Sequence, residues 1–201
     1  MTVDFHGPLE ERLFLALNAA AGPLADEAAV VLSYTTVGLA FGLVLLVAFR
    51  RLRPERWPRY AAAMLTAFAL SDVVGNNLWR PLFGRMRPCY ALGPELARQL
   101  VPAANAGSIP SLHTSNFFAL ATVAWAVDRR LGAASLVAAA AVGWARIHGG
   151  VHWPTDVLAG AVWGAACGGL ARLILLRGER PAPPPGAAPP TPPGPGAPPV
   201  A

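Results

Sequence analysis

The sequence contains no lysine, so all 16 of its basic residues are arginines. Charged residues of either sign are scarce, at 13% of the 201 residues, whereas 54% of the residues are hydrophobic. A soluble globular domain typically has roughly twice that share of charge. The scarcity of charge therefore excludes an ordinary soluble domain, and the long apolar runs predict a helix bundle in lipid.

Cysteine is also rare. Cys89 lies in a polar segment and Cys167 in an apolar one, and two cysteines so placed provide neither a disulfide framework nor the ligand spacing of a zinc site. No cluster of acidic residues and histidines suits magnesium or zinc, so we expect no metal and no other cofactor. The N-terminus lacks a basic start, an apolar run and a cleavage site, so we expect no removable signal peptide.

Hydrophobic segments account for most of the chain and predict an all-α, polytopic membrane bundle of about five to six helices. Thirteen residues, Leu9–Ala21, form an amphipathic or short apolar helix that either lies in the interface or enters the membrane. His113–Val127 is another short apolar helix. The segments predicted to cross the membrane are Ala28–Phe49, Tyr60–Trp79, Leu131–Ile147 and Val157–Leu176.

The arginines predict the orientation of this bundle. Five of them lie within Arg50–Arg59, between two hydrophobic segments, as expected for a cytoplasmic loop. This placement argues against nucleic-acid binding as the explanation of the net charge of +5. If this loop is cytoplasmic, Arg129, Arg130 and Arg177 are cytoplasmic as well, and three polar clusters face the other side.

The last part of the chain, residues 178–201, is dominated by proline, alanine and glycine. Such a segment has little apolar area to bury, so we expect a disordered, cytoplasmic tail after a membrane domain of residues 1–177. A ligand for a proline-recognition domain is the alternative, and low-complexity sequence is the preferred interpretation.

The first polar cluster is Ala145–Asp156, where an arginine, two histidines and an aspartate lie between two apolar runs. Charged residues next to a bilayer usually mark a site. Arg146 can bind phosphate oxygens, His152 can act as a nucleophile or base, and Asp156 can hold the other imidazole nitrogen. The alternative is a solvated interfacial loop.

Two further clusters have the same two interpretations. Arg80 and Arg87 are seven residues apart on a bent segment, where their guanidinium groups can converge on one phosphate or meet lipid head groups. Ser111 is a natural N-cap before an apolar helix, so the amides that follow it favour an anion. His113 would lie beside that anion. The alternative is that Ser111 only caps the helix and that His113 follows it by chance.

In this order and on one side of a membrane, Arg-x6-Arg-Pro, Pro-Ser-x-His and Arg-x5-His-x3-Asp resemble the type 2 phosphatidic acid phosphatase family, which includes bacterial undecaprenyl-diphosphate phosphatases. The resemblance implies a multi-pass protein of the bacterial inner membrane with an extracytoplasmic active site. It implies that His152 is the nucleophile, Asp156 orients it and His113 is the general acid. The implied phosphate-binding groups are Arg80, Arg87, Ser111, the amide of Leu112, and Arg146.

Three positions depart from the family pattern. Arg80 stands in place of the usual lysine, Leu112 in place of glycine and Ala145 in place of serine. Because Leu112 lacks the freedom of glycine, we expect its side chain to point away from the phosphate. None of the three changes removes a catalytic group.

Other polar and aromatic residues near the clusters receive structural interpretations. We expect His148 to be interfacial rather than catalytic. Asn76 and Asn77 either brace Arg80 or simply face water at a helix end. The tryptophans expected in an aromatic belt at the outer interface are Trp79, Trp144 and Trp153.

The preferred substrate is undecaprenyl diphosphate, and this preference rests on family resemblance alone. Phosphatidylglycerophosphate, phosphatidate or a lipid A phosphate are alternatives within the same class. A catalytically silent protein that binds lipid phosphates or moves lipids is the alternative of a different class. In every case the expected partners are membrane lipids, and the oligomeric state is left open.

Overall fold

The computed structural model describes residues 2–178, which form nine α-helices and one π-helical stretch and contain no β-strand within that range. The predicted all-α membrane bundle is therefore confirmed. The predicted tail lies outside the described residues except for Gly178, and its boundary stays a prediction. The helices are α1 (Pro8–Asn18), α2 (Pro23–Leu32), α3 (Thr35–Leu52), α4 (Trp57–Ala69), α5 (Arg80–Phe83), α6 (Pro88–Ala91), α7 (Leu112–Val127), α8 (Arg129–His148) and α9 (Pro154–Leu175), with the π-helical stretch at Leu70–Trp79.

Helices α1 and α2 form a sharply bent pair. Both begin with a proline, where its missing N–H costs nothing, and Gly22 before α2 has φ of 97°, which favours glycine. The two axes meet at 109°. The predicted short helix over Leu9–Ala21 is therefore α1, and it packs against α8 and α9 rather than against α2.

The predicted crossing Ala28–Phe49 is divided in the structure. Helix α2 ends at Leu32, Tyr34 is extended, and α3 begins at Thr35. Ser33 and the threonines that follow can bond to nearby backbone, and such residues favour caps and turns over helix interiors. Apolarity alone does not reveal this break, because Ala28–Phe49 is uncharged throughout.

Three helices, α3, α8 and α9, are long and apolar enough to cross a membrane, and the pair α1–α2 makes a fourth if it counts as one span. Tyr60–Trp79 is helical as predicted, but it changes from α-helix to π-helix at Leu70. π-Helical turns occur frequently at functional sites. Here the wide turns end at Arg80, the first residue of the second polar cluster.

The tightest packing in the bundle joins α7 to α9. Gly160, Gly164 and Gly168 lie four residues apart on α9, and a β-carbon at any of them would come within 2.0–2.6 Å of a backbone oxygen of α7 or of its N-cap, Ser111. Small residues at this spacing allow two helices to approach closely in a membrane. The approach brings the N-terminus of α7 beside the first turn of α9.

The predicted cytoplasmic arginines lie at the opposite end of the bundle. Arg53, at the end of α3, donates to the carbonyl of Val127 at the end of α7. Asp128 then caps α8 by accepting from the amides of Arg130 and Leu131, both at 2.9 Å. A cap of this kind typically contributes about 1 kcal/mol.

The outer surface of the bundle is apolar. Leu39, Leu43, Val137, Val162 and Leu173 are each more than 60% exposed. Such side chains are costly in water and favourable against lipid tails, where a helix satisfies its own backbone. The exposed surface therefore fits a bundle surrounded by lipid.

Candidate active site

The three polar clusters meet at one end of the bundle around His152. This residue lies in the loop between α8 and α9 and is 1% exposed. Burial, followed by the nearby charges of Arg87, Arg146 and Arg80, lowers the pKa of His152 well below its ordinary value of 6.5. The positive charge of a protonated His113 acts in the same direction. Charged groups from all three clusters therefore act electrostatically on the imidazole of His152.

The partners of His152 define its tautomer. Its Nε2 lies 3.1 Å from Nη1 of Arg87, which can only donate, so Nε2 accepts and carries no proton. Its Nδ1 lies 3.4 Å from Oδ2 of Asp156, so the Nδ1–H faces a carboxylate. A histidine held in this form has its lone pair directed at the arginine-rich side.

Asp156 is fully buried in the first turn of α9. Its Oδ2 also accepts from the backbone N–H of Trp153 at 2.9 Å, and its Oδ1 accepts from Nη1 of Arg85 at 2.8 Å. The carboxylate therefore has both of its oxygens engaged. This arrangement fits the predicted role of Asp156 in orienting the imidazole.

Arg87 is held rigidly by backbone carbonyls. Its Nε donates to Ala104 at 2.9 Å, Nη1 donates to Val151 at 2.9 Å, and Nη2 donates to Gly107 at 3.2 Å. The loops before α7 and after α8 thus fix one guanidinium group against His152. Fixed donors of this kind are effective where negative charge develops, because no reorganisation is needed.

Arg80 and Arg146 have no carboxylate partner among residues 2–178. Arg146 is 6% exposed, its Nε is buried without a hydrogen-bond acceptor, and the buried Nε of Arg80 lacks one too. Arg80 donates from Nη1 to Asn76 at 3.3 Å, whereas Asn77 bonds to the carbonyl of Val73 in its own helix. Of the two asparagines, Asn76 therefore braces Arg80. A buried cation with no carboxylate in contact, as Arg146 is, is costly, so its position near Arg80 points to an anionic ligand.

The N-terminus of α7 adds further donors. Ser111 is its N-cap, as expected, but its side chain makes no capping bond and accepts instead from Oγ1 of Thr114 at 3.1 Å. The first intrahelical bond runs from the amide of Ser115 to Ser111. The amides of Leu112 and His113 therefore have no acceptor within the helix and are available to an anion.

An apolar groove of about 590 Å³ opens beside this positive site, between α3, α4 and α7. Arg80 and His113 line its polar end, and residues such as Leu39, Leu43 and Phe68 line the remainder. The ring of His113 also lies by the backbone of Ser33, at the break between α2 and α3. The site can thus hold a phosphate at one end and an apolar chain along the groove.

The comparisons with known proteins agree with this geometry. The family described as the PAP2 superfamily matches residues 27–179, more than half of the chain. The chain belongs to the PAP2 superfamily. The resemblance predicted from the three motifs is therefore confirmed.

Among PAP2 relatives, the bacitracin transport permease protein BcrC of Bacillus licheniformis is 33% identical over 131 residues, covering 65% of this chain. The chain spans 62% of that relative's length. The lipid A 4'-phosphatase of Bacteroides thetaiotaomicron is 24% identical over 180 residues, covering 86% of this chain and 79% of the relative.

Two solved structures have the same fold. LpxE of Aquifex aeolicus superposes with a TM-score of 0.66 at 28% identity and covers 85% of this chain and 98% of that one. The first transmembrane PAP2 type phosphatidylglycerolphosphate phosphatase from Bacillus subtilis superposes with a TM-score of 0.66 at 21% identity. That alignment covers 82% of this chain and 83% of the other, and it shows the fold alone.

Two charged groups linked to Asp156 were not predicted from the sequence. Arg85 bonds to Asp156, and Glu10 bonds to Arg85 with Nη2 and Oε2 2.5 Å apart. Glu10 precedes the part of the chain that matches the family. Its contact joins residues 75 positions apart, and no local spacing in the sequence signals it.

Two structural expectations were wrong in position. His148 is 1% exposed and therefore does not face water or lipid head groups; its Nδ1 lies 2.8 Å from the carbonyl oxygen of Leu17, and its Nε2 lies 2.8 Å from Oδ1 of Asp26. Trp153 is fully buried and donates to the carbonyl of Met86, so it cannot belong to an aromatic belt. Both residues serve to fix the loop around His152.

Residues 2–178 contain no group of three or more His, Cys, Asp or Glu side chains placed to hold a metal ion. The basic groups described above are cationic or hydrogen-bond donors, which suit a phosphate rather than a metal. The independence from metals expected from the sequence stays a prediction.

Proposed function

We propose that this protein is a metal-independent lipid phosphatase that hydrolyses a lipid phosphate or diphosphate through a phosphohistidine. The observation that carries the proposal is the convergence of Arg80, Arg87 and Arg146 on His152 beside an apolar groove. Phosphoryl transfer requires mainly positioning and neutralisation of charge, and these three arginines supply both. The groove favours a substrate with an apolar chain over a soluble phosphate ester.

The proposed reaction has two steps. Nε2 of His152 attacks phosphorus, the bond between phosphorus and the leaving oxygen breaks, and His113 gives its proton to that oxygen. Asp156 stabilises the positive charge that the phosphorylated imidazole acquires. A water molecule then attacks the phosphorus, His113 takes a proton from that water, and the bond between phosphorus and Nε2 of His152 breaks. Its electron pair returns to Nε2, and inorganic phosphate leaves.

The phosphate oxygens would be held by the three arginines, the hydroxyl of Ser111 and the amide of Leu112. This assignment is supported by the free amides at the start of α7 and by the buried Nε atoms of Arg80 and Arg146, which have no acceptor. We place the site on the extracytoplasmic side of a bacterial inner membrane. The arginines around Arg53, at the other end of the bundle, support that orientation.

Within this class we favour undecaprenyl diphosphate as the substrate, with undecaprenyl phosphate as the product. The short N-terminal helix, the small size and the segment VHWPTDVLAG (residues 151–160) support this choice. Phosphatidylglycerophosphate, phosphatidate or a lipid A phosphate is the alternative, and the Bacteroides relative, named a lipid A 4'-phosphatase, favours the last of these. The alternative of a different class is a catalytically silent protein that binds lipid phosphates or moves lipids, and the Bacillus relative, named a bacitracin transport permease protein, favours it.

The deciding experiment measures phosphate release in detergent with excess EDTA, for the parent, His113→Ala and His152→Ala. The lipids are undecaprenyl diphosphate, phosphatidate, phosphatidylglycerophosphate and lipid A. Release by the parent and loss in both variants support the enzyme, and the preferred lipid identifies the substrate. Loss of release with EDTA would overturn metal independence. Lipid binding without release from any of the four would favour the silent binder.

A further inference from the structure

The orientation of Asp156 depends on a group outside the three motifs. Its Oδ2 faces the imidazole of His152, while its Oδ1 is held at 2.8 Å by Nη1 of Arg85. A carboxylate can rotate about its last bond, so a single bond at Oδ2 would leave its direction loosely defined. The second bond, at Oδ1, fixes the plane of the carboxylate and thereby the direction in which Oδ2 points.

Arg85 is itself held on several sides. Its side chain is 3% exposed, and its guanidinium group lies over the rings of Phe5 and Trp153, at 5.1 and 5.4 Å from their centroids. Its Nη1 also donates to Oγ1 of Thr155 at 2.7 Å. Rings on which a guanidinium group stacks hold its plane, so Arg85 presents its donors in fixed directions.

Glu10 completes this chain of contacts from helix α1. Its Oε2 accepts from Nη2 of Arg85, and its Oε1 accepts from the backbone amide of Thr155 at 3.1 Å and from the hydroxyl of the same residue. A carboxylate at the start of α9 is also stabilised by the helix dipole. Glu10 thus binds both the arginine and the helix that carries Asp156.

The backbone before α1 follows the same path. The amide of Val3 donates to Gly84 at 2.7 Å, and the amide of Met86 donates to Val3 at 2.9 Å. These two bonds enclose Arg85 between them. The first residues of the chain therefore hold Arg85 both by backbone bonds and by the ring of Phe5.

The charges explain why Glu10 matters to His152. Arg85 carries one positive charge, which two carboxylates share. Without the charge of Glu10, Arg85 would neutralise Asp156 more completely, and Asp156 would stabilise a positive imidazole less. Glu10 therefore leaves the charge of Asp156 available to His152.

We propose that Glu10 and Arg85 are positioning residues for the nucleophile: they hold Asp156 so that His152 keeps its proton on Nδ1 and its lone pair on Nε2. This inference rests on the proposed function of His152. It also assigns a role in the reaction to helix α1, which precedes the segment that matches the PAP2 superfamily.

The test uses conservative variants and matched controls in the full-length chain. Arg85→Lys keeps the positive charge but loses the planar set of guanidinium donors. Glu10→Gln keeps the shape of the side chain but loses its negative charge. The controls are Glu11→Gln and Arg12→Lys on the same helix; Glu11 bonds to His6 rather than to Arg85, and Arg12 is exposed. We expect kcat to fall about ten- to a hundred-fold in Arg85→Lys and less in Glu10→Gln, as for outer partners of functional histidines. KM should change little, and both controls should match the parent.

A second arm separates positioning from simple stability. If both residues act through Asp156, neither change should lower kcat further in an Asp156→Asn background, measured with enzyme in excess. A purely structural role would give losses that multiply with that of Asp156→Asn. Multiplying losses, or a kcat equal to that of the controls in both variants, would overturn the inference.

The third arm does not depend on the substrate. ¹⁵N NMR of labelled histidine distinguishes the Nδ1–H from the Nε2–H form of a neutral imidazole, and the His152 signal is assigned by its loss in His152→Gln. We expect the Nδ1–H form in the parent and a growing share of the Nε2–H form in Arg85→Lys and Glu10→Gln. An unchanged tautomer in both variants would refute the positioning role even if no lipid is hydrolysed, whereas failure of the parent to release phosphate refutes the proposed function instead.

Discussion

The side chain of Leu112 occupies the space beside Gly75. Its Cδ2 lies 2.4 Å from the position that a β-carbon at Gly75 would take. Leu112 stands where the family pattern has glycine, and it lies against the π-helical segment that carries Gly75. No residue other than glycine has a positive φ within residues 2–178, so Leu112 fits the start of α7 without backbone strain. The larger residue on α7 is thus matched by a small one on the facing helix.

The first prediction concerns this pair. Gly75→Ala gains helix propensity but forces Leu112 to move, whereas in a Leu112→Ala background the new methyl group meets no obstacle. We expect Gly75→Ala to be more favourable in that background than in the parent by about 1–3 kcal/mol, the usual cost of overpacking. Thermal unfolding of the four proteins in detergent measures this coupling.

The same variants report on the substrate groove, because Leu112 also lines it. A displaced Leu112 should raise KM for the lipid in Gly75→Ala, and the double variant should restore it in part. Additive effects on stability, with no change in KM, would contradict the close packing of Leu112 on Gly75.

Much of the site could be predicted because its chemistry is local. His152 and Asp156 are four residues apart, and Ser111 and His113 begin one helix, so their relation is visible in the sequence. The order of the clusters between apolar segments then placed them on one side of a membrane. What made these residues recognisable is that polar groups are rare in this chain.

The contacts of Glu10 and Arg85 could not be predicted in the same way. The contact between Glu10 and Arg85 depends on the path of the chain before α1 and on the approach of α1 to α9. Both are results of tertiary packing. In the sequence, Glu10 and Glu11 are indistinguishable as acidic residues in the first turn of an amphipathic helix. Only the structure shows that one faces Arg85 and the other His6.

The break at Ser33 and Tyr34 was missed for a related reason. Hydropathy measures how well a segment tolerates lipid, and it contains no information about where the helix axis turns. The break places the backbone of Ser33 beside His113, so it contributes to the site. The burial of His148 escaped prediction because its partners, Leu17 and Asp26, lie more than 120 residues away.

The second prediction concerns the leaving group. If His113 protonates the leaving oxygen, its loss should matter most for a poor leaving group. The alkoxide released from phosphatidate is far more basic than the phosphate ester released from undecaprenyl diphosphate. We expect His113→Ala to lose about 10²–10⁴-fold in kcat on phosphatidate and clearly less on the diphosphate.

The parent and an Arg87→Lys variant provide the comparison for this measurement, since a phosphate-binding group should affect both lipids similarly. An equal loss on both lipids in His113→Ala would exclude the role of general acid. His113 would then act only as a further donor to the phosphate.

The third prediction concerns pH. Because burial and the three arginines lower the pKa of His152 below 6.5, its imidazole should stay neutral at pH values where a free histidine is largely protonated. The acid limb of kcat/KM should therefore lie below pH 6.5, with activity lost only as the pH falls through the lowered pKa. Titration by ¹⁵N NMR assigns the limb to His152 rather than to the substrate phosphate.

Removing one arginine tests whether the positive charges lower the pKa of His152. Arg87→Gln removes one positive charge next to Nε2, so the pKa of His152 should rise toward its ordinary value. A His152 signal that titrates at or above pH 6.5 in the parent, or that is unmoved by Arg87→Gln, would contradict the electrostatic interpretation of the site.

The last prediction concerns the side of the membrane on which the site lies. The native Cys89 and Cys167 are both buried, so neither can report the orientation well. Ala106, in the loop before α7, and Glu55, between α3 and α4, are exposed at opposite ends of the bundle. In intact cells, an impermeant maleimide should label Ala106→Cys, and it should label Glu55→Cys only after the membrane is opened. The reverse pattern would place the site in the cytoplasm, and the arginines near Glu55 would then lie outside, against the positive-inside rule.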